Sequence, residues 1–306
     1  MGMLEGRVAI CTGSGRGVGA EVAKLMAANG AKVVVNDPGV SGSGEGGDKA
    51  PAEQIASEIK AAGGEAVANY GSVTKLDDCL AMVQQARETF GGLHVVFNPA
   101  GILRDRMFHN MTPEEWQAVI DVHLTGHFNV ARAAINLFRE QEYGRLIMVG
   151  STSGLLGNVG QANYGSAKMG IVTLSAIIAA ENKSKGITSN VICPSADTRM
   201  TRSVPTPKDP KAAAIREERL RRSRADAIAP LCVFLASEKA GYVTGQVFHQ
   251  RAAELTLYSQ PRPLQMVHHQ GGWTPELIAE VGMPSLANKF VELGDSRKIH
   301  PGLPLD

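Results

Sequence analysis

Four glycines separate a short apolar run from a helical pattern near the start of the chain. Residues 8–11 are Val, Ala, Ile and Cys, which is typical of a buried strand, and apolar residues recur at helical spacing from Val22 until Asn29 and Gly30 end the pattern. The turn between the two elements contains Gly13, Gly15, Gly17 and Gly19. Such a backbone can approach a pyrophosphate, and the following helix offers it unpaired N–H groups and a positive dipole end. The pattern therefore predicts a strand, turn and helix that bind a dinucleotide.

Strand and helix patterns then alternate along the chain. A helix start at Thr112 is especially clear, because Pro113 occupies the first helical position and Glu115 completes a capping box; we expect this helix to run towards Arg139. The other predicted helices are 50–62 and 76–90, and the other predicted strands are 31–37, 66–69, 93–97, 146–149 and 189–193. With 306 residues, of which 43% are hydrophobic, the chain can bury one large core. The predicted fold class is α/β, a doubly wound Rossmann-type parallel sheet with helices on both faces.

Three polar residues between positions 145 and 168 suggest proton-coupled chemistry. Tyr164 and Lys168 are four residues apart and would share one helix face, while Ser151 follows the predicted strand at 146–149 and would lie at its carboxyl end. A free phenol has a pKa of about 10, and a neighbouring ammonium favours the phenolate. Tyr164 could then exchange a proton with an alcohol or ketone whose oxygen Ser151 holds. The spacing alone also fits an amphipathic helix with a surface lysine.

These stretches together resemble the short-chain dehydrogenase/reductase family. Its pattern Thr-Gly-x-x-x-Gly-x-Gly is met by Thr12, Gly13, Gly17 and Gly19. The resemblance implies that Tyr164 is the catalytic acid/base, that Lys168 binds the nicotinamide ribose and lowers the pKa of the tyrosine, and that Ser151 orients the substrate carbonyl. It also implies a cofactor site at the matching positions, which are Gly13, Gly15, Arg16, Gly17, Val18, Gly19, Asp37, Ser72, Val73, Asn98, Ala100, Gly101, Tyr164, Lys168, Pro194 and Thr198.

Two residues of this set favour different cofactors. Asp37 ends the second strand, where a dinucleotide fold places the acid that binds the adenosine ribose diol, and its carboxylate would repel a 2′-phosphate. Arg16 occupies a position where NADP-dependent relatives often carry a base. Because its long side chain can turn towards solvent, the predicted cofactor is NAD and NADP is the alternative.

The sequence departs from the family pattern at three places. Pro99 stands where the family usually has asparagine and removes one backbone donor beside the cofactor, and Ser195 follows Pro194 where glycine is usual. His123 replaces the asparagine that completes the family's catalytic tetrad. It could supply a backbone carbonyl to a proton relay, and its side chain could titrate in the working range, or it could be a buried residue that fills space. His123 is therefore a possible relay residue.

Several further segments resemble the dehydrogenase domain of D-specific multifunctional β-oxidation enzymes. They include the glycine-rich insertion after Asp37 and residues 68–73, 101–106, 122–124 and 157–164, within a similarity that runs from about residue 5 to 201. The resemblance implies oxidation of a (3R)-hydroxyacyl-CoA to the 3-ketoacyl-CoA with NAD. Some members also oxidise 17β-hydroxysteroids, so a dehydrogenase of free hydroxysteroids or other secondary alcohols is the alternative, and a non-catalytic dinucleotide-binding protein is a third possibility.

The segment after the predicted strand at 189–193 is where substrate specificity is expected to reside. Residues 196–226 are predicted to be a flap over the substrate, with a proline-rich turn at 204–207 and a helical run of arginines. Arg221 and Arg222 could bind coenzyme A phosphates, or could pair with Glu217 and Glu218 on a solvated helix face.

We divide the chain into a dehydrogenase domain, residues 1–250, and an extension, residues 251–306. Leu255, Leu257 and Leu264 suggest packed strand-like pieces in the extension, and residues 274–277 begin a helix. The extension is expected to pack on the core or on a partner subunit, and the resemblance implies a homodimer or homotetramer.

Composition and short motifs bear on whether the protein binds nucleic acid or metal and on its cellular location. A net charge of +1 and an aromatic content of 5% give no reason to expect nucleic-acid binding. The four cysteines are far apart and read as reduced thiols, and the adjacent His268 and His269 would lie on opposite faces of a strand, so no metal site is predicted. No apolar stretch approaches 18 residues and the last residues are not Ser-Lys-Leu, so we expect a cytoplasmic protein without a membrane span.

Overall fold

The computed structural model describes residues 2–202, 206 and 208–291. Eight strands form one sheet in the order β3-β2-β1-β4-β5-β6-β7-β8. Neighbouring strands from β3 to β7 are parallel, and β8 runs antiparallel to β7. The strands are β1 Val8–Cys11, β2 Lys32–Asn36, β3 Glu65–Asn69, β4 Val95–Asn98, β5 Gly144–Val149, β6 Ile187–Ser195, β7 Val247–Arg251 and β8 Glu254–Tyr258. The predicted doubly wound α/β fold is confirmed, and β4 begins two residues later than predicted.

Helices cover both faces of the sheet. In chain order they are α1 Gly17–Ala28, α2 Ala50–Ala61, α3 Leu76–Phe90, α4 Pro113–Ile120, α5 Gly126–Glu140, α6 Thr152–Leu156, α7 Ala162–Asn182, α8 Arg199–Arg202, α9 Pro210–Arg222, α10 Ala229–Ala236, α11 Pro275–Leu277 and α12 Met283–Leu286. Short 3₁₀ turns occur at Phe108–Asn110, Lys183–Lys185, Ala225–Ile228, Glu238–Ala240 and Ala287–Lys289. The prediction of α3 is confirmed at both ends.

The sheet divides the apolar interior into two cores. Successive residues of a strand point to opposite faces, so Ala9 and Cys11 of β1 join one core, with α1, α2 and α10, whereas Val8 and Ile10 join the other, with α3, α5 and α7. Strands buried on both faces are expected to be continuously apolar rather than alternating. This is why the short runs of Val, Ile and Ala in the sequence predicted the sheet correctly.

The long helix predicted from Thr112 is interrupted once. Its capping box is confirmed, since the Thr112 side chain accepts a hydrogen bond from Glu115 N and the Glu115 carboxylate accepts one from Thr112 N. A π-helical turn, Asp121–Thr125, then separates α4 from α5. Such turns are frequent at functional sites, and this one contains His123.

The described part of the extension is only partly packed. Strand β8 adds an antiparallel edge to the sheet, in agreement with one predicted strand-like piece, and the predicted helix start at Thr274 is confirmed because its hydroxyl caps α11. Leu264 lies outside any strand and is 73% exposed in the single chain, so the strand-like piece predicted there was wrong, and packing of this segment on a partner subunit stays a prediction. The division of the chain at residue 250 stays a prediction.

Several negative predictions concern the described residues. No helix among them is both long and apolar enough to cross a membrane, and no group of three potential metal ligands is found there. All four cysteines are buried, free thiols. The proline-rich turn at 204–207 lies outside the described residues except for Thr206, as do the last residues of the extension.

Candidate active site

The glycine turn after β1 lets three backbone segments approach one another. Gly13 has a φ of +52°, and a Cβ atom there would lie 2.8 Å from Ala100 Cα. A Cβ atom on Gly19 would lie 2.3 Å from the carbonyl oxygen of Gly13, so only glycine lets α1 start this close to the turn. No side chain in the described part of the chain caps the amino terminus of α1, and its first turn has no acidic residue. The free N–H groups and the positive dipole end suit a pyrophosphate.

Asp37 is held in place at the end of β2. Its Oδ2 accepts a hydrogen bond from Gly15 N at 3.0 Å, and its Oδ1 accepts one from Gly39 N at 2.7 Å. Each carboxylate oxygen retains a lone pair for a further donor, such as a ribose hydroxyl. The side chain is therefore oriented before any ligand binds.

The insertion after Asp37, residues 39–48, lies across the same region of the molecule. Its Gly42 carbonyl accepts a hydrogen bond from Leu103 N at 3.0 Å, and its Ser43 carbonyl accepts one from Arg104 Nε at 3.1 Å. The Val40 carbonyl accepts a longer one, 3.4 Å, from Arg199 at the start of the flap. The insertion thus connects the loop after β4 with the flap, a role that its sequence did not predict.

A cavity of about 530 Å³ lies at the carboxyl ends of the strands, within the size range of small-molecule and cofactor sites. Fourteen of the sixteen predicted cofactor residues line it, and Gly15 and Asn98 do not. Gly15 instead holds Asp37, and the Asn98 side chain is buried against Thr12, whose hydroxyl also accepts a hydrogen bond from Ala100 N at 3.4 Å. Further lining residues that sequence reasoning missed are Pro38, Val40, Ser41, Gly44, Thr74, Pro99, Ile102, Val122, Val149, Gly150, Ala196, Arg199 and Thr201.

Tyr164 and Lys168 line this cavity, and Ser151 lies beside Tyr164 without lining it. Ser151 follows β5 and caps α6, and its hydroxyl hydrogen-bonds the Tyr164 hydroxyl. Lys168, one turn further along α7, is 2% exposed, and its Nζ donates to Val149 O at 2.6 Å. The Nζ atom lies 5.5 Å from the centre of the Tyr164 ring. This convergence is the arrangement that exchanging a proton with a ligand oxygen requires.

The pKa of Tyr164 differs from the prediction. Burial of the phenol raises its pKa to about 12, although the hydrogen bond with Ser151 acts in the opposite direction. The expected lowering by Lys168 is absent because the lysine ammonium bonds the Val149 carbonyl, and because burial also lowers the lysine pKa to about 7. The structure therefore favours a neutral phenol, which can donate a proton.

His123 lies beside Tyr164 and is 1% exposed. Its Nε2 lies 2.8 Å from Ile102 O and 3.2 Å from Ile102 N, and its ring meets the Tyr164 ring edge-on with the centres 5.0 Å apart. Burial holds the pKa of His123 well below its usual value, so the expectation that it titrates in the working range was wrong. Its Nδ1 has no hydrogen-bond partner within the described ranges, and a Cβ atom on Gly101 would lie 2.3 Å from its Cε1. A role in proton relay stays a prediction.

His127, one helical turn further on, is a residue that sequence reasoning missed. It is completely buried, its Nδ1 donates to His123 O at 2.6 Å, and its Nε2 accepts a 3.4 Å hydrogen bond from Val149 N. Burial lowers the pKa of His127 to about 3, so it remains neutral. The carbonyl that His123 was expected to offer to a relay is thus already bound by a neighbouring side chain. A second histidine at helical spacing was the only sequence signal for this contact.

The arginines of the flap pair mainly with their own segment. Arg221 and Arg222 both bind Glu218, at 2.9 Å and 2.7 Å, and Glu217 lies 3.4 Å from Arg202. This confirms the pairing expected of a solvated helix face for Glu218, while Glu217 has a different partner than predicted. Coenzyme A binding by these arginines stays a prediction.

Comparisons with known proteins agree with this geometry. A family model described as enoyl-(acyl carrier protein) reductase matches residues 13–250. The chain is 46% identical over 245 residues to a peroxisomal multifunctional enzyme of Dictyostelium discoideum; the match covers 80% of this chain but 52% of that enzyme, so the chain spans about half its length. It is 39% identical over 295 residues to a hydroxyacyl-CoA dehydrogenase of Mycobacterium tuberculosis, covering 90% of this chain and 87% of the relative.

A solved structure is also similar. The crystal structure of a short-chain dehydrogenase from Mycobacterium avium matches with a TM-score of 0.82 and 37% identity, over 96% of this chain and 98% of the other. The similarity therefore extends through the sheet, the flap and most of the extension.

Proposed function

The chain belongs to the short-chain dehydrogenase/reductase family, and on that premise we propose that it is an NAD-dependent dehydrogenase that interconverts a (3R)-hydroxyacyl-CoA and the 3-ketoacyl-CoA. Family membership makes it an oxidoreductase that uses a nicotinamide cofactor. The observation that carries the proposal is that Tyr164 and Lys168 line the same cavity as Asp37, with the Ser151 side chain beside the phenol. The acyl-CoA substrate is supported by what the matched relatives are named for.

The residues around the cavity fit a dinucleotide. The amino terminus of α1 and the turn at Gly13 would bind the pyrophosphate, the oriented Asp37 carboxylate would bind the adenosine ribose diol, and Lys168 would bind the nicotinamide ribose. When bound, the cofactor exchanges a hydride with the substrate carbon, and its oxidised ring carries positive charge that favours a phenolate nearby.

The chain's own residues supply the proton transfer. In ketone reduction the Tyr164 hydroxyl donates its proton to the ketone oxygen while the Ser151 hydroxyl hydrogen-bonds the same oxygen. In alcohol oxidation the alcohol proton passes to the Tyr164 oxygen. A phenol with a pKa of about 12 is ready for the first direction, and the second needs the phenolate to be stabilised. Lys168, with a pKa of about 7, can add to that stabilisation only when it is protonated.

NAD is proposed over NADP because of Asp37. A 2′-phosphate would meet this carboxylate at close range, whereas Arg16 is exposed at the cavity and free to turn outward. Asp37→Ser should lower kcat/KM for NAD by about tenfold or more and leave NADP less affected. A wild type with higher kcat/KM for NADP would contradict this assignment.

The substrate is tested by one panel. Cofactor reduction is followed with (3R)- and (3S)-hydroxyacyl-CoAs of several chain lengths and with free hydroxysteroids. Turnover of the (3R)-thioesters is expected. Turnover confined to hydroxysteroids or other free alcohols would favour the alternative activity, which uses the same Ser151, Tyr164 and Lys168 but no coenzyme A contact.

Assembly and location remain part of the proposal. We infer a homodimer or homotetramer from the family, to be measured by light scattering. A cytoplasmic location also stays a prediction, and the matched relative from Dictyostelium discoideum is named as peroxisomal.

A further inference from the structure

Asn163, the residue before the catalytic tyrosine, is completely buried in the first turn of α7. Its Nδ2 donates to Arg104 O at 2.9 Å and to Glu115 O at 3.1 Å, and its Oδ1 accepts from Tyr164 N at 2.7 Å. Both amide protons and one amide oxygen are therefore used. A side chain that must offer two donors and an acceptor over so short a reach is expected to be asparagine.

The partners of Asn163 belong to three different elements. Arg104 is in the loop after β4, Glu115 is in the first turn of α4, and Tyr164 is in α7. Buried backbone carbonyls and N–H groups need partners, and here one side chain supplies them for all three elements. Asn163 thus joins the catalytic helix to two segments that are far away in the sequence.

One of those segments forms a wall of the cofactor cavity. Ile102 lines the cavity and is held by His123, and the next residue, Leu103, donates its N–H to Gly42 of the insertion. Asn163 holds the following residue, Arg104, from the opposite side. Asn163 thereby ties the wall to the tyrosine backbone. Next to this contact, Arg106 N donates to Gly160 O at 2.9 Å and Gln161 Nε2 donates to Asp105 Oδ2 at 2.8 Å.

The groups that contact the Tyr164 side chain do not bind the backbone of the tyrosine. Ser151 bonds the phenol oxygen, Lys168 bonds Val149, and His123 contacts the ring, so each acts on the side chain or on another element. We propose that Asn163 is a positioning residue that fixes the distance between the Tyr164 phenol and the cofactor-side wall. The inference rests on the proposed function only in requiring that Tyr164 acts in catalysis.

The matched control is Asn190, which is 1% exposed and also bridges two backbone groups. Its Nδ2 donates to Val243 O at 2.8 Å and its Oδ1 accepts from Gln246 N at 3.0 Å, within the sheet and away from the cavity residues. Asn163→Ser and Asn190→Ser each remove a buried amide without adding charge. Both should lower Tm, so stability alone does not distinguish them.

The distinguishing measurement is kcat together with the cofactor Kd, made below the Tm of every variant. Asn163→Ser should lower kcat by about 10- to 100-fold, because small misplacements of a catalytic group cost that much, and should shift the pH profile of kcat. Asn190→Ser should leave both within about twofold of the wild type, and the cofactor Kd should change little in either variant. Equal kcat for the two variants, or a loss seen only as weaker cofactor binding, would overturn the proposal.

Additional variants and a substrate-free measurement complete the test. If Asn163→Ser does not fold, Asn163→Asp is compared with Asn190→Asp, since aspartate keeps the size and the acceptor for Tyr164 N. The assay uses whichever secondary alcohol the wild type oxidises, so a failure of the acyl-CoA assignment leaves the comparison measurable. Amide hydrogen exchange in residues 102–106 gives a substrate-free readout: faster exchange in the Asn163 variant alone supports the contact, and unchanged exchange contradicts it.

Discussion

Two pairs, each of a tyrosine and a buried cation, lie at opposite ends of the same strand. Tyr143 and Arg145 lie at the amino end of β5, and Tyr164 and Lys168 lie near its carboxyl end, where Lys168 bonds the last residue of the strand, Val149. The two cations are 4% and 2% exposed. The surroundings of the two pairs differ in how completely they satisfy the buried groups.

At the amino end the cation makes three hydrogen bonds. Arg145 Nε donates to Ser237 O at 3.1 Å, and its Nη1 donates to Gly144 O and Gly186 O, both at 2.9 Å. Its guanidinium lies 4.2 Å from the Tyr143 ring centre, and the Tyr143 hydroxyl donates to Ala236 O at 3.2 Å. A cation held by several backbone carbonyls and an aromatic ring stabilises the fold.

At the carboxyl end, some hydrogen-bonding capacity of the cation is unused. Within the described part of the chain, Lys168 Nζ makes one hydrogen bond although it has three protons to donate, and the hydroxyls of Ser151 and Tyr164 bond each other beside an open cavity. The difference suggests that a buried charge held by several backbone carbonyls stabilises the fold, whereas one that makes a single hydrogen bond beside a cavity is available to a ligand.

The largest expected effect separates the two tyrosines. Tyr164→Phe should lower kcat by about 10²- to 10⁴-fold, the usual contribution of a general acid or base, with little change in cofactor Kd. Tyr143→Phe should retain the activity of the wild type. Steady-state kinetics and fluorescence titration with the cofactor measure both, and an active Tyr164→Phe enzyme would remove the basis of the comparison.

The cations should have opposite effects on stability. Arg145→Met removes a buried cation that donates to three backbone carbonyls and should lower the free energy of unfolding by about 3 kcal/mol. Lys168→Met removes a buried charge with little compensation and should leave stability unchanged or raise it, while kcat falls. Urea denaturation of both variants checks this. A Lys168 variant destabilised as much as the Arg145 variant would show that the lysine is structural.

The difference in the free energy of unfolding between the wild type and Lys168→Met should depend on pH. Its pKa is about 7 in the folded protein and about 10.4 in an unfolded chain, so between these values the unfolded state binds more protons. Raising the pH through this window therefore stabilises the wild type relative to Lys168→Met, by at most about 1.4 kcal/mol per pH unit. Denaturation near pH 7 and near pH 9.5 measures the change, and a constant difference between the two proteins would mean that the lysine is charged throughout.

The smallest effect is expected from the second tyrosine. Tyr143→Phe loses the hydrogen bond to Ala236 O and should lower the free energy of unfolding by about 1 kcal/mol. Denaturant unfolding measures it against the wild type. A much larger loss would indicate that the hydroxyl also orders Arg145, which would sharpen the view of the amino-end pair as one unit.

Local signals in the sequence predicted most of the fold. The glycine turn, the capping box at Thr112 and Glu115, and both ends of α3 depend on residues within a few positions of one another, and all were predicted correctly. The π-helical turn at Asp121–Thr125 was not predicted, because the apolar spacing of a helix carries little trace of one extra residue in a turn.

The sequence predicted which residues form the candidate site better than it predicted their pKa values and contacts. The spacing of Tyr164 and Lys168 placed both at the cavity, but it carries no information on burial, so the direction of the tyrosine pKa shift was wrong. The contacts of Asn163 join residues 48 and 59 positions apart, and those of the insertion join positions about 60 apart. Such pairings appear only once the chain has folded.

The contact between Gly101 and His123 constrains how this protein can diverge. With the imidazole in place, even a methyl group at position 101 would overlap the ring. A larger residue at 101 becomes acceptable only in a descendant that has already replaced the histidine by something smaller. The histidine therefore has to change first. A lineage that alters position 101 first would pass through a protein in which the new side chain overlaps the imidazole.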